Sequence, residues 1–184
     1  MRIPSLCLLF CFFMACDHSP LLPKPKAALS LRYASPKYSQ VRSDCPYQFE
    51  INADASFNPL AACESKIVYP KMKATIYLSY RSVKDNLDSL LSDAYQMPSK
   101  HIIKATEIPE KLFINPENKT YGTLFRIVGE AASQVQFFLT DSTKHFLVGS
   151  LYFYTRPNYD SILPAARYIE QDMIKMMETM EWKE

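Results

Sequence analysis

The sequence predicts an α+β fold in which an antiparallel sheet has helices packed on it, in the order β-β-β-α-β-β-β-α. Three observations point there. Ala74, Ile76, Leu78 and Tyr80 fall on one side of a period-two pattern, with Thr75, Tyr77 and Ser79 on the other. Two later segments switch to helical spacing, one around Val83–Tyr95 and one around Leu163–Met180. The links Gly129–Ala132 and Asp141–Lys144 are too short for the crossover of a dozen or more residues that parallel neighbours need, so the strands they join form antiparallel hairpins.

Taken in order, Tyr47-Gln48-Phe49-Glu50-Ile51 alternates as a strand, and Lys66-Ile67-Val68-Tyr69 is a second candidate after a loop over Asn52–Ala62. The third strand is 74–80. Ser82, followed three residues later by Asp85, approximates a capping box. Val83, Leu87, Leu90, Leu91, Ala94 and Tyr95 then repeat at helical spacing, predicting a helix over 83–96 that stops before Pro98. His101–Lys119 is less regular. Strands follow at 120–128, 133–140 and 145–154. The last helix starts at Asp160 or Ser161, tolerates Pro164 in its first turn and runs to about Glu181, with Leu163, Ala166, Ile169, Met173, Met176, Met177 and Met180 as its apolar stripe. This order resembles the PsbP/Mog1-like fold in topology alone.

The amino terminus reads differently. Arg2 precedes an apolar run, Leu6 to Phe13, that ends at Met14-Ala15-Cys16 and turns polar at Asp17-His18-Ser19-Pro20. This is the pattern of a bacterial lipoprotein signal. Arg2 holds the amino end on the cytoplasmic side, the apolar segment is short for a permanent span, and Ala15 leaves room for a peptidase to cut before Cys16. The Cys16 thiol then carries the lipid. Phe13 stands where such signals usually place Leu or another aliphatic residue, and ordinary secretion with cleavage near Ala15 is the alternative. Residues 1–15 are therefore the signal peptide, and 16–43 the lipid attachment and a flexible, proline-containing tether. Residues 44–184 form a single globular domain.

After processing, two thiols remain, Cys45 and Cys63. In an oxidising compartment such a pair most simply forms a structural disulfide. A redox or metal pair is the weaker alternative, since there is no Cys-x-x-Cys and no nearby histidine.

The chain has 21 basic and 19 acidic residues, a net charge of +2, which offers no electrostatic case for nucleic acid. At 48% hydrophobic and 13% aromatic, it has ample material for one core.

Several segments resemble one known family. Asp44-Cys45-Pro46-Tyr47-Gln48-Phe49-Glu50, the run from Tyr69-Pro70-Lys71 to Tyr80, and the run from Ser133 to Ser142 followed by His145-Phe146-Leu147 look like the gliding-motility lipoprotein GldD family of Bacteroidota. So do Gly149-Ser150-Leu151-Tyr152-Phe153 and the ending Met177-Glu178-Thr179-Met180-Glu181-Trp182-Lys183. The resemblance implies a lipoprotein required by the gliding motor and the companion type IX secretion machinery. It would be an accessory or assembly factor facing the periplasm, anchored in the inner or outer membrane through lipid, with gliding and type IX secretion proteins as partners. It implies no enzymatic activity, and it carries over the lipidated Cys16 and the pair Cys45 and Cys63.

The residues themselves point the same way on catalysis. Asp141, Ser142 and His145 share one short link, but a triad needs a base reaching the serine, an acid orienting that base and an oxyanion hole, which a tight hairpin rarely supplies. A turn in which Asp141 caps backbone amides is expected instead. His18 and His101 have no ligand partners at metal spacing, and three isolated glycines make no phosphate loop. No catalytic residue, metal or cofactor is therefore expected. The methionines of the last helix read as core rather than as soft-metal ligands. Asp88-Ser89-Leu90, Asp141-Ser142-Thr143 and Asp160-Ser161-Ile162 look like the acceptor sequence of Bacteroidota protein O-glycosylation, with Ser142 and Ser161 the candidate sites. Twelve tyrosines and eleven phenylalanines motivate a competing function, a periplasmic lipoprotein that holds a small apolar or glycan ligand.

Overall fold

The computed structural model describes residues 31, 33–155 and 158–183; the signal peptide and Cys16 lie outside them. It is an α+β structure. Among the described residues thirteen strands run in chain order: β1 Tyr38–Gln40, β2 Tyr47–Gln48, β3 Glu50–Asn52, β4 Ser56–Pro59, β5 Ser65–Tyr69, β6 Ala74–Ser82, β7 Ala105–Glu107, β8 Glu110–Asn115, β9 Thr120–Arg126, β10 Val128–Gly129, β11 Ser133–Thr140, β12 His145–Phe153 and β13 Glu181–Trp182. Among the described residues the α-helices are α1, Leu87–Ser99, and α2, Tyr159–Glu178. Seven strands build the main antiparallel sheet in the order β4-β5-β6-β12-β11-β9-β8. Three short two-stranded pairs, β1–β3, β7–β10 and β2–β13, lie beside it.

Each face of the sheet has one helix. Ile76 and Leu78 of β6, Leu147 and Leu151 of β12, and Phe137 and Leu139 of β11 project to the α2 side. There they meet Ile169, Met173, Met176, Met177 and Met180, all at most 2% exposed, so the methionine stripe is core. Close approach is achieved at Gly149, where a Cβ would lie 2.2 Å from the Phe137 ring. On the opposite face Ala94 of α1 packs with Phe125, Phe138 and Phe146, the last two stacked at 5.5 Å between centroids.

The sequence-derived order needs four corrections. First, the segment assigned to a flexible tether up to residue 43 is partly folded: β1 pairs with β3, and Val41 is buried in the main core. Second, the strand expected over 47–51 breaks at Phe49, because β2 pairs with β13 and β3 with β1. Third, the loop 52–62 and the irregular stretch 101–119 contain β4, β7 and β8. In β8, Leu112 and Ile114 are exposed and Phe113 points to the core. Fourth, α1 starts at Leu87 rather than Val83. Asp85 adopts φ +54°, which interrupts a helical start, so Asn86 takes the cap position and no Ser82–Asp85 box forms. This helix also continues through Pro98 into its last turn.

Candidate functional site

Helix α1 is only 13 residues long and covers part of its face of the sheet. Along β6 and β12 the side chains pointing to this face are Thr75, Tyr77, Ser79 and Arg81, paired respectively with Tyr152, Ser150, Val148 and Phe146. Strand alternation puts them there, since the other set of each strand is apolar and faces α2. The gap between these residues and Leu90, Asp93, Ala94 and Met97 of α1 is a groove of about 510 Å³.

The tyrosines beside this groove are held in place. Tyr77 meets Tyr152 edge-on at 5.7 Å, and the Lys66 ammonium lies 5.3 Å from the Tyr77 ring centroid. The Tyr77 and Tyr154 hydroxyls are 2.9 Å apart, and Thr75 Oγ1 donates to Tyr154 at 3.2 Å. At the rim, Ser79 donates to Glu64, which also accepts from Arg81 at 3.4 Å. Half-exposed aromatic rings fixed by their neighbours, with an arginine at the margin, lose little rotamer entropy on contact and are typical anchors of a protein interface.

The residues singled out from sequence fall elsewhere. Cys45 and Cys63 form a disulfide with Cα atoms 5.5 Å apart, as expected. It lines a surface cavity with Val41, Ser43 and Lys183, and Ala62 and Cys63 beside it both take left-handed φ values near +57°. Ser142, φ +67°, sits exposed in the β11–β12 turn, and Ser161 is exposed in the first turn of α2, its amide bonded to the Asn158 side chain. Ser89 is exposed on α1.

Asp141 caps the turn, accepting from the amides of Thr143, Lys144 and His145. Burial alone would raise its pKa, but these bonds outweigh it and bring the carboxyl down to about 2. His145 turns Nδ1 to the Tyr80 hydroxyl at 2.8 Å and stacks on Trp182 at 5.2 Å. Burial lowers its pKa, against the pull of Asp141.

One further cluster was not singled out by sequence reading. Asp172, 3% exposed, accepts from Tyr38, Asn52 and Tyr69 at 2.8, 2.9 and 3.1 Å, and burial raises its pKa.

A family model, gliding motility lipoprotein GldD, matches residues 18–182. The chain belongs to the GldD family. No curated protein and no solved structure matches it, so the PsbP/Mog1-like likeness finds no support there. Membership of the GldD family makes this a gliding-motility-related lipoprotein. Among the described residues no helix is long and apolar enough to cross a membrane. The GldD-family match includes β6 and β12, whose tyrosine face sequence reading left unremarked. The signal was available strand by strand: β6 sets Thr75, Tyr77 and Ser79 opposite an apolar face, and Ser150 and Tyr152 of β12 alternate with Gly149 and Leu151.

Proposed function

We propose that this chain is a lipid-anchored, non-enzymatic accessory or assembly protein of the gliding-motility and type IX secretion machinery. Cys16 holds it to an envelope membrane, and the domain faces the periplasm. The Tyr77–Tyr152 face grips a partner subunit. The observation that carries this reading is the family match over 165 consecutive residues, 18–182, together with an aromatic surface pre-positioned beside α1 on β6 and β12. The test is a Cys16→Ala variant in the native cell. Loss of the protein from the membrane fraction together with loss of gliding or secretion supports the proposal; normal function without membrane attachment contradicts it.

A second reading is favoured by the groove itself, whose mixture of aromatic, hydroxyl and charged lining suits a small apolar or glycan ligand. One defined small molecule co-purifying per chain would select it. Glycosylation at Ser142 and Ser161 is compatible with their exposure, and an intact mass higher than that of chain plus lipid tests it.

A further inference from the structure

We propose that the turn 100–104, directly after α1, is a second membrane contact: Ile102 and Ile103 enter an anionic lipid surface, and Lys100 and Lys104 meet its phosphates. This rests on the reading that Cys16 anchors the chain. The residue types are unusual for their place. Tight turns favour Gly, Asn, Asp and Ser, yet here two β-branched aliphatic side chains stand 65% and 90% exposed. The turn is not loose. The Ile102 amide donates to Ser99 O at 3.1 Å, and the Lys104 and Ala105 amides both donate to His101 O at 2.9 Å. His101 Nε2 lies 3.3 Å from Nε2 of the buried Gln136, and Gly129, with no side chain, lets Lys104 O come close. Because the backbone of this turn is already fixed, burying its two isoleucines in another phase costs little further order.

Position and charge both name lipid as the occupant. The turn stands at the end of the sheet where the chain arrives from Cys16. Tyr33 and Ala34 line a cavity with Lys71 and Met72 of the β5–β6 turn, so the chain enters beside that turn. Lys73 O accepts there from the Tyr154 amide at 2.8 Å; Phe153 pairs with Ala74 and Tyr152 with Ser133, so β6, β12 and β11 share this end. Just before β11 lies β10, whose Gly129 pairs with Ala105, the residue after the turn 100–104. Tyr154, also exposed, adds aromatic surface at this end. Lys100 and Lys104 are exposed, and no acidic residue occurs between Asp93 and Glu107. Of the acids near this end, Asp54 is paired with Lys71, Glu130 accepts from the Tyr159 amide, and Glu107 lies three residues beyond Lys104. Two isoleucines between two lysines match the layering of a lipid surface, with the lysine stems beside the acyl region and their ammonium groups at the phosphates. The fifteen steps of chain from Cys16 to Leu31 span at most about 50 Å. The anchor therefore holds the turn at an effective concentration at which a weak contact is occupied.

The test uses the full mature, lipidated chain in vesicles of phosphatidylethanolamine and phosphatidylglycerol. A polarity-sensitive fluorophore is attached at Ile103→Cys or, as the control, at Lys144→Cys in the β11–β12 turn at the opposite end of the sheet. At position 103 the emission should shift to the blue, with quenching by nitroxide lipid and several-fold less quenching by aqueous iodide than at 144. Adding Lys100→Gln/Lys104→Gln, both at exposed positions, should return the probe to water at an unchanged thermal midpoint, since each lysine near an anionic surface strengthens binding about fivefold. A probe at 103 that stays open to iodide, on a chain whose intact mass includes the lipid, overturns the proposal and leaves the anchor standing. An intact mass without lipid overturns the anchor reading, and this inference with it. Shielding at 103 in native membranes but not in protein-free vesicles assigns the turn to a protein partner and overturns the proposal as well.

Discussion

The Tyr38 hydroxyl donates to Asp172 Oδ1 at 2.8 Å, joining residues 134 positions apart. Tyr38 lies on β1, the first strand among the described residues, and Asp172 lies on the inner side of α2. Asn52 and Tyr69 supply the other donors, so one buried carboxylate gathers β1, β3, β5 and α2. Tyr168 extends the clasp by donating to Ala34 O at 3.2 Å. In a lipid-anchored protein this is where a pull on the tether reaches the core.

Tyr38→Phe removes one donor from a buried carboxylate and should cost about 1–2 kcal/mol. Hydrogen exchange should show faster exchange of the amides of β1 and Val41, with β11 and β12 unchanged. Unaltered protection of β1 would remove the clasp from the explanation.

The two unusual carboxylates respond to pH in opposite directions. Asp141 is held down to about 2, so its contribution is present above the ordinary value of 3.8 and is lost as pH falls through about 2. Asp172 is raised, so its contribution is fully present below the ordinary value and declines as pH rises through the raised one. Urea unfolding from pH 2 to 7 should show that Asp141→Ala flattens the acid limb. Asp172→Asn should lose stability at every pH, by about 2 kcal/mol, because its amide nitrogen faces donors. Relative to this variant, the wild type should gain most at low pH.

Breaking the Cys45–Cys63 bridge should lower stability by about 3 kcal/mol, since it closes a loop with a sequence separation of 18. Thermal unfolding of the Cys45→Ala/Cys63→Ala protein, compared with the oxidised wild type, measures this. A midpoint that does not move would mean that the β4–β5 hairpin and the backbone around Ala62 and Cys63 hold without the bridge.

Gly149→Ala should destabilise by about 2–3 kcal/mol, because the Phe137 ring occupies the space its Cβ needs. The double variant Gly149→Ala/Phe137→Leu should recover part of the loss, as the clash goes with the ring.

The parts of the fold legible in sequence were those with long, uncontested periodicity. β6, β11 and β12 were found within a residue or two and α2 at its start, because each buries one continuous apolar face; α2 ends at Glu178 rather than near Glu181, which belongs to β13. Pairs that change partner were not legible: Tyr47 and Phe49 alternate as one strand, yet they stand on either side of a switch from β13 to β1. β8 was lost because Leu112, Phe113 and Ile114 are apolar on both faces and leave no period, and β1 because three residues carry too little pattern. The disulfide was legible from cysteine count alone. The tyrosine face was legible only strand by strand, because Tyr77 and Tyr152 come together only when β6 and β12 pair.

The decisive measurement is crosslinking and affinity purification from native membranes with the wild type, Cys16→Ala and the double variant Tyr77→Ala/Tyr152→Ala. The wild type should recover gliding or type IX secretion subunits, Cys16→Ala fewer, and the tyrosine variant almost none while keeping its thermal midpoint within a few degrees. Undiminished recovery by a folded Tyr77→Ala/Tyr152→Ala protein would contradict the proposed face.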